Sequence, residues 1–303
     1  MDTKVLSIFR NDETKARFTA AYDQALTEWP VPYESCFVTT SFGMTHIIKS
    51  GERSNPPLLL IHGMTATSLM WSPNIAEWSA YYYVNCIEVP GDFGKSMLLK
   101  QMSSNEAAAE WLQELAAELQ LNDFHLLGHS MGGFLALNFA MAYPKRLRSL
   151  GLLAPASSFA PLSRMFYFHM IPAVMFPTKY MIDRAFTWCM SPHHNLNLLP
   201  MSYRALITAS YKNCKPKLGL LPTVYSDEEL SQLKVPTLFI VGEDEVIYRE
   251  AIPNVLAKAS RIPDITTATV PRAGHFLSIE QKEKVNRLVL DFLAKHPAAP
   301  GHT

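Results

Sequence analysis

The chain has no uninterrupted apolar run of about 18 residues, so it offers no candidate for a helix across a bilayer. An excess of one charge sign is also missing: Lys+Arg and Asp+Glu each number 27. Without net charge there is no field to draw in nucleic acid or an anionic membrane, and neither is an expected partner. Cysteine is sparse. Cys36, Cys86, Cys189 and Cys214 are widely spaced, with no C-x-x-C, which argues against zinc and for reduced, packed thiols in a cytoplasmic protein. The start, Met1-Asp2-Thr3-Lys4, soon reaches the charged run Arg10 to Arg17 and lacks the apolar core of a signal peptide. There are no internal repeats. What remains is 303 residues, 48% hydrophobic and 18% charged, an ordinary globular composition able to fill one large α/β domain or two small ones.

Periodicity divides the chain into an alternating part and an interrupted one. Residues 12–29 place Phe18, Tyr22, Ala25, Leu26 and Trp29 on one helical face before Pro30 and Pro32, which reads as an arm on the outside of the domain. Cys36–Thr40 and Thr45–Ile48 read as an antiparallel pair. Leu58–Ile61, Tyr81–Val89 and Ser149–Ala154 read as further strands. A helix after the Ser103/Glu106 capping pattern lies among them. Strands at Thr237–Val241 and Thr266–Val270 follow a second capping pattern at Ser226-Asp227-Glu228-Glu229, and a last helix runs to about Lys295. This alternation predicts an α/β fold, a mostly parallel, doubly wound sheet with helices on both faces. From Pro155 to about Pro222 the rhythm breaks. Pro161, Pro172, Pro177, Pro192 and Pro200 cut the stretch into short helices carrying six methionines: Met165, Met170, Met175, Met181, Met190 and Met201. With Phe166, Phe168, Phe176 and Trp188 they suggest an adaptable apolar surface. The expected division is a core of 1–155 and 223–303 and a helical cap of 156–222. The tail from Pro297 is expected to be loose.

The stretch that organises the rest is Phe124 to Gly133. A buried-strand pattern ends at Leu127, a helical pattern begins at Met131, and Gly128-His129-Ser130-Met131-Gly132 between them is a G-x-S-x-G match. Such a turn exposes Ser130 in a strained conformation at the start of a helix, where free N–H groups face any anion that forms. A serine hydroxyl needs a base, and the base needs a carboxylate. His275, after a strand and Gly274, is the expected base. The loop Gly242-Glu243-Asp244-Glu245 offers three carboxylates, of which one need point inward. Backbone N–H groups of Met131 and Met64 are the expected oxyanion-hole donors, on precedent worth about 3–4 kcal/mol each.

On these pieces the chain resembles the α/β-hydrolase superfamily over nearly its whole length. They are His62-Gly63, Pro90-Gly91, Gly94, Ser96, the Ser130 elbow, the 242–245 loop and Gly274-His275-Phe276. Within that superfamily, Trp29-Pro30-Val31-Pro32-Tyr33-Glu34 and Gly242–Tyr248 make it similar to cap-bearing bacterial serine carboxylesterases. The resemblance implies the α/β-hydrolase fold. It puts the triad acid at Glu245, three residues after Gly242 where the family usually has aspartate, with Asp244 as second choice. The function expected is cleavage of a medium-sized apolar ester through an acyl-enzyme, with no cofactor or metal. The alternatives are a hydrolase-like small-ligand sensor, or thioesterase, lactonase, C–C hydrolase or perhydrolase chemistry on the same residues. His193-His194 with Asn195 lacks a third ligand at suitable spacing and reads as a polar turn. His169 reads as a cap histidine, His62 as a loop support and His129 as filling the elbow.

Overall fold

The alternating apolar segments form a nine-stranded sheet in the computed structural model, which describes residues 5–297. The strands are β1 (Glu34–Thr40), β2 (Gly43–Ser50), β3 (Pro57–Ile61), β4 (Tyr83–Ile87), β5 (Met97–Leu98), β6 (Phe124–His129), β7 (Leu147–Leu153), β8 (Thr237–Gly242) and β9 (Ile265–Val270). Their spatial order is β1-β2-β4-β3-β6-β7-β8-β9, with β5 beside β2. From β4 to β9 all pairings are parallel, whereas β1, β2 and β5 pair antiparallel. The crossover from β3 leads to β4 on one side, and the next returns to β6 on the other. That switch point opens a crevice at the carboxyl ends of β3 and β6.

Helices cover both faces: α1 (Asp12–Leu26), α2 (Ser72–Trp78), α3 (Asn105–Glu118), α4 (Met131–Ala142), α5 (Arg164–Met175), α6 (Lys179–Cys189), α7 (Met201–Asn213), α8 (Asp227–Gln232), α9 (Ile252–Ala259), α10 (Leu277–Glu280) and α11 (Lys282–Leu293). Successive residues of a strand point to opposite faces. Leu58 and Leu60 accordingly join one core with Trp71, Trp78 and Val289, while Leu59 and Ile61 join a second with Trp111, Phe134 and Phe139. Burial on both faces is why β3 and β6 read as unbroken apolar runs.

Several local expectations need correction. The cap of α3 is Ser104, not Ser103: Ser104 has the extended backbone (φ −143°, ψ 166°) and accepts the Ala107 N–H. Pro172 does not end a helix. It sits inside α5, forfeiting one hydrogen bond while the next turn closes through Phe176 N–H to Pro172 O at 2.8 Å. The arm α1 does not lie simply outside. It packs against α7, its Phe18 and Tyr22 are fully buried, and Tyr22 Oη donates to Glu88 Oε1 at 2.7 Å. Between β7 and β8 the described chain makes helices and no strand, α5 to α8 with a short 3₁₀ turn at Leu196–Leu198. All four cysteines are free thiols. The expected loose tail beyond Pro297 and the first four residues lie outside the described residues.

Candidate active site

Ser130 follows β6 without a linking residue, and α4 begins at Met131. Its backbone is at φ 53°, ψ −118°, a conformation that non-glycine residues avoid. Its N–H is tied to Leu153 O at 2.9 Å and its carbonyl accepts from Phe134 and Ala156, so the surroundings enforce the turn. The flanking glycines are required by close approach. A Cβ on Gly128 would lie 2.1 Å from Gly132 O, and one on Gly132 would lie 2.3 Å from Ile61 O.

His275 comes from the loop after β9. Its Nδ1 is 2.9 Å from Glu245 Oε2, and the Glu245 side chain is fully buried. Glu245 Oε1 accepts the N–H groups of Val246 (2.9 Å) and Ile247 (3.0 Å), so both oxygens are occupied and aimed. The other two carboxylates of the loop point elsewhere. Asp244 Oδ2 accepts from Ser191 Oγ at 2.6 Å, and Glu243 Oε2 from the Arg272 N–H at 3.4 Å. With Nδ1 as donor to Glu245, the imidazole keeps Nε2 as its free acceptor. Ser130 and His275 line the same cavity, yet Ser130 Oγ makes no hydrogen bond among the described residues. Such contacts are often loose before substrate is in place.

Two supports of the base escaped sequence reasoning. His129 does more than fill the elbow: its Nε2 lies 2.7 Å from His275 O, and the two rings are 4.7 Å apart. Burial, then the neighbouring His275, pushes His129 down to about 3, so it is neutral and Nε2–H is the donor. Glu280 accepts the N–H groups of Gly274, Phe276 and Ser191 at 3.1, 3.1 and 2.7 Å, gripping the chain on both sides of His275. Burial raises its carboxyl above the usual range. No sequence signal marked it, since a glutamate in a helix is ordinary. The helical insertion also reaches the base, through His275 N–H to Cys189 O at 2.7 Å.

Met131 N–H opens α4 and Met64 N–H lies in the loop after β3. Neither has an acceptor among the described residues. His62 supports that loop as expected, with Nδ1 2.8 Å from Gly63 O and Nε2 3.1 Å from Val89 N.

A cavity partly open to solvent lies over Ser130. Its wall is apolar and carries no Asp, Glu, Lys or Arg. Met64, Met70 and Met131 come from the sheet side; Phe166, Met170, Phe186, Leu199 and Tyr203 come from the insertion. Of the six methionines expected to shape the cap, only Met170 lines the cavity. Met165, Met175 and Met201 are exposed and Met190 is buried elsewhere. His169 stacks on Trp188 at 4.7 Å and is not part of the wall. His194 Nε2 lies 3.0 Å from Arg272 O, and no cluster suited to a metal occurs among the described residues.

Residues 58–288 match the model of the alpha/beta hydrolase family. An uncharacterized carboxylesterase, nap, of Bacillus subtilis (strain 168) is 34% identical over 280 residues, covering 91% of this chain and 92% of that one. Carboxylesterase YbfK of the same organism is 34% identical, covering 93% and 95%. The crystal structure of naproxen esterase (carboxylesterase NP) from Bacillus subtilis superposes with a TM-score of 0.86 at 33% identity, over 93% of this chain and 98% of that one.

Proposed function

The chain belongs to the alpha/beta hydrolase family and is a serine ester hydrolase of the carboxylesterase type, and on that premise we propose that Ser130, His275 and Glu245 are its catalytic triad. The observation that carries this reading is the bond between Glu245 Oε2 and His275 Nδ1 at 2.9 Å, with Asp244 turned away to Ser191. It fixes the imidazole tautomer and leaves Nε2 to take the Ser130 proton. Ser130 Oγ attacks the ester carbonyl carbon while His275 accepts its proton. The carbonyl oxygen becomes an oxyanion facing the Met131 and Met64 amides. Collapse breaks the bond to the alkoxy oxygen, which leaves as alcohol with the proton from His275. Water then loses a proton to His275 and attacks the acyl-enzyme, freeing the acid and restoring Ser130.

The insertion acts as a cap of residues 156–222, covering part of the apolar cavity. A wall without Asp, Glu, Lys or Arg favours an uncharged, medium-sized apolar ester, because a charged group would be desolvated there with no opposite charge to meet it. Supporting this is that relatives resembling it over nearly their full length carry carboxylesterase names. A panel of p-nitrophenyl esters of graded acyl length and acid-side bulk tests it. The expected optimum is an uncharged acyl group of intermediate length. Equal or better turnover of an anionic acyl group overturns the substrate class, and full activity in Ser130→Ala overturns the mechanism.

A further inference from the structure

The loop Pro90 to Ser96 carries a buried carboxylate that the mechanism above does not use. Asp92 is 1% exposed. Its Oδ1 and Oδ2 lie 3.0 and 3.1 Å from the Thr65 N, and Oδ1 also accepts the Phe93 N–H at 2.8 Å. Thr65 is the residue after Met64. It is held at φ 58°, which is costly for a β-branched side chain and persists only where the surroundings impose it. Its hydroxyl donates to Met64 O at 2.7 Å and receives the Tyr211 hydroxyl at 2.8 Å. Tyr211 belongs to α7, the same helix whose Tyr203 lines the cavity. The peptide joining Met64 to Thr65 is therefore held at both ends, by Asp92 from below and by Tyr211 from the insertion above.

We infer that Asp92 is a positioning residue for ester hydrolysis, holding the 63–65 loop through the Thr65 amide so that the Met64 N–H faces the oxyanion, and that Tyr211 couples the seating of α7 to that same alignment. This rests on the assignment of Met64 as an oxyanion donor. An oxyanion-hole donor acts by being fixed in advance of the reaction. The loop closes through Ala66 N–H to Gly63 O at 3.1 Å and rests on His62, but neither contact reaches the Thr65 amide, which Asp92 holds. A buried acceptor carrying charge holds an amide more firmly than a neutral one. Burial pushes the Asp92 carboxyl up to about 7, helped by Glu88 and opposed by the Phe93 and Thr65 amides. The titratable groups bearing on it are Glu88 just after β4 and Tyr211 and Cys214 at the end of α7; both of the latter are raised and neutral. Near pH 7 the clamp thus passes between a neutral and a charged acceptor, and its ionised form is the better one.

The test uses the full-length enzyme and two variants on one good p-nitrophenyl ester. Asp92→Asn keeps the shape but turns an N–H donor toward an N–H donor. It is expected to lower kcat roughly 30- to 100-fold while KM stays within about threefold, since a displaced donor is lost chiefly in the transition state. Binding of a trifluoromethyl ketone analogue should weaken by the same factor. The acid limb of log(kcat/KM) against pH should change from second order in protons to first order. Tyr211→Phe retains the ring contacts with Phe93 and Phe186 and should lower kcat by about 3- to 10-fold, again at constant KM, which keeps the inference testable if the aspartate variant folds poorly. Saturating labelling of Ser130 by a fluorophosphonate is the control. If Ser130 still labels stoichiometrically while both variants keep wild-type kcat and analogue affinity, the positioning role is wrong and the triad stands. If Ser130 does not label, the triad fails and this inference falls with it.

Discussion

The sheet edge and the helical insertion meet the same cavity under different physical rules. At the sheet edge every functional group is held by backbone. Ser130 is tied to Leu153, His275 to Cys189, and Glu245 to two amides of its own loop. In the insertion the side chains facing the cavity, such as Phe166, Met170, Phe186 and Leu199, are placed by packing. Phe166 and Met170 line it, while Met165, Phe168 and Ile171 of the same helix stand in solvent. Hydrogen bonds fix direction and packing fixes volume. A substitution at the edge should therefore change how fast an ester is cleaved, and one in the insertion should change which ester is cleaved.

The largest contrast is expected at the nucleophile. Ser130→Ala should lower kcat by roughly 10⁵-fold or more with the melting temperature unchanged or raised, since a strained position is relieved of nothing it needs for folding. Next comes the acid. Glu245→Gln should reduce kcat by roughly 10³- to 10⁴-fold, whereas Asp244→Asn should stay within about tenfold. The reverse order would move the triad to Asp244, and steady-state kinetics on one ester decides it. In the insertion, Phe166→Ala should shift the preferred acyl length and change relative kcat/KM between a short and a bulky ester by roughly 10- to 200-fold, with little effect on the shortest ester. A uniform fall across all esters would erase the contrast.

The smallest effect concerns pH and stability. Asp92 has a folded-state value of about 7 against an ordinary 3.8. The folded chain therefore binds its proton more tightly, and this contribution is complete below about 3.8 and lost as pH rises through about 7. The wild type should lose stability relative to Asp92→Asn across that window. Glu88, lowered by His46 and Tyr22 against its burial, acts oppositely in both proteins, and the variant loses only its repulsion of Asp92. Denaturant melts at pH 5 and pH 8 give the sign. An unchanged difference between the two proteins would mean that Asp92 does not titrate there.

The same contrast explains what was legible in the sequence. Leu58–Ile61 and Phe124–Leu127 announce central strands because both faces are buried. Gly128 and Gly132 announce the elbow because a Cβ at either would strike backbone. Glu245 could be preferred over Asp244 only on family resemblance, because three adjacent carboxylates are indistinguishable until the backbone turns them different ways. Glu280, Asp92 and the His129 bond to His275 O were not legible. Each depends on which distant amide a buried polar atom meets, and spacing carries no information about that. Pro172 misled for a related reason, since a proline removes one hydrogen bond whether or not the neighbouring turns survive.

The docking of α1 has a consequence for how the chain folds. Residues 8 and 9 meet residues 214 and 215: Lys215 N–H donates to Ile8 O at 2.7 Å, and Phe9 bridges Cys214. The segment around α1 leaves the ribosome before the rest of the described fold, yet its partner α7 is made some two hundred residues later. Contacts at such separation carry a large loop-closure cost and form after local ones. The arm is thus made first and locked late: Tyr22 can meet His46 and Glu88 early, but its helix is clamped only once α7 has been made.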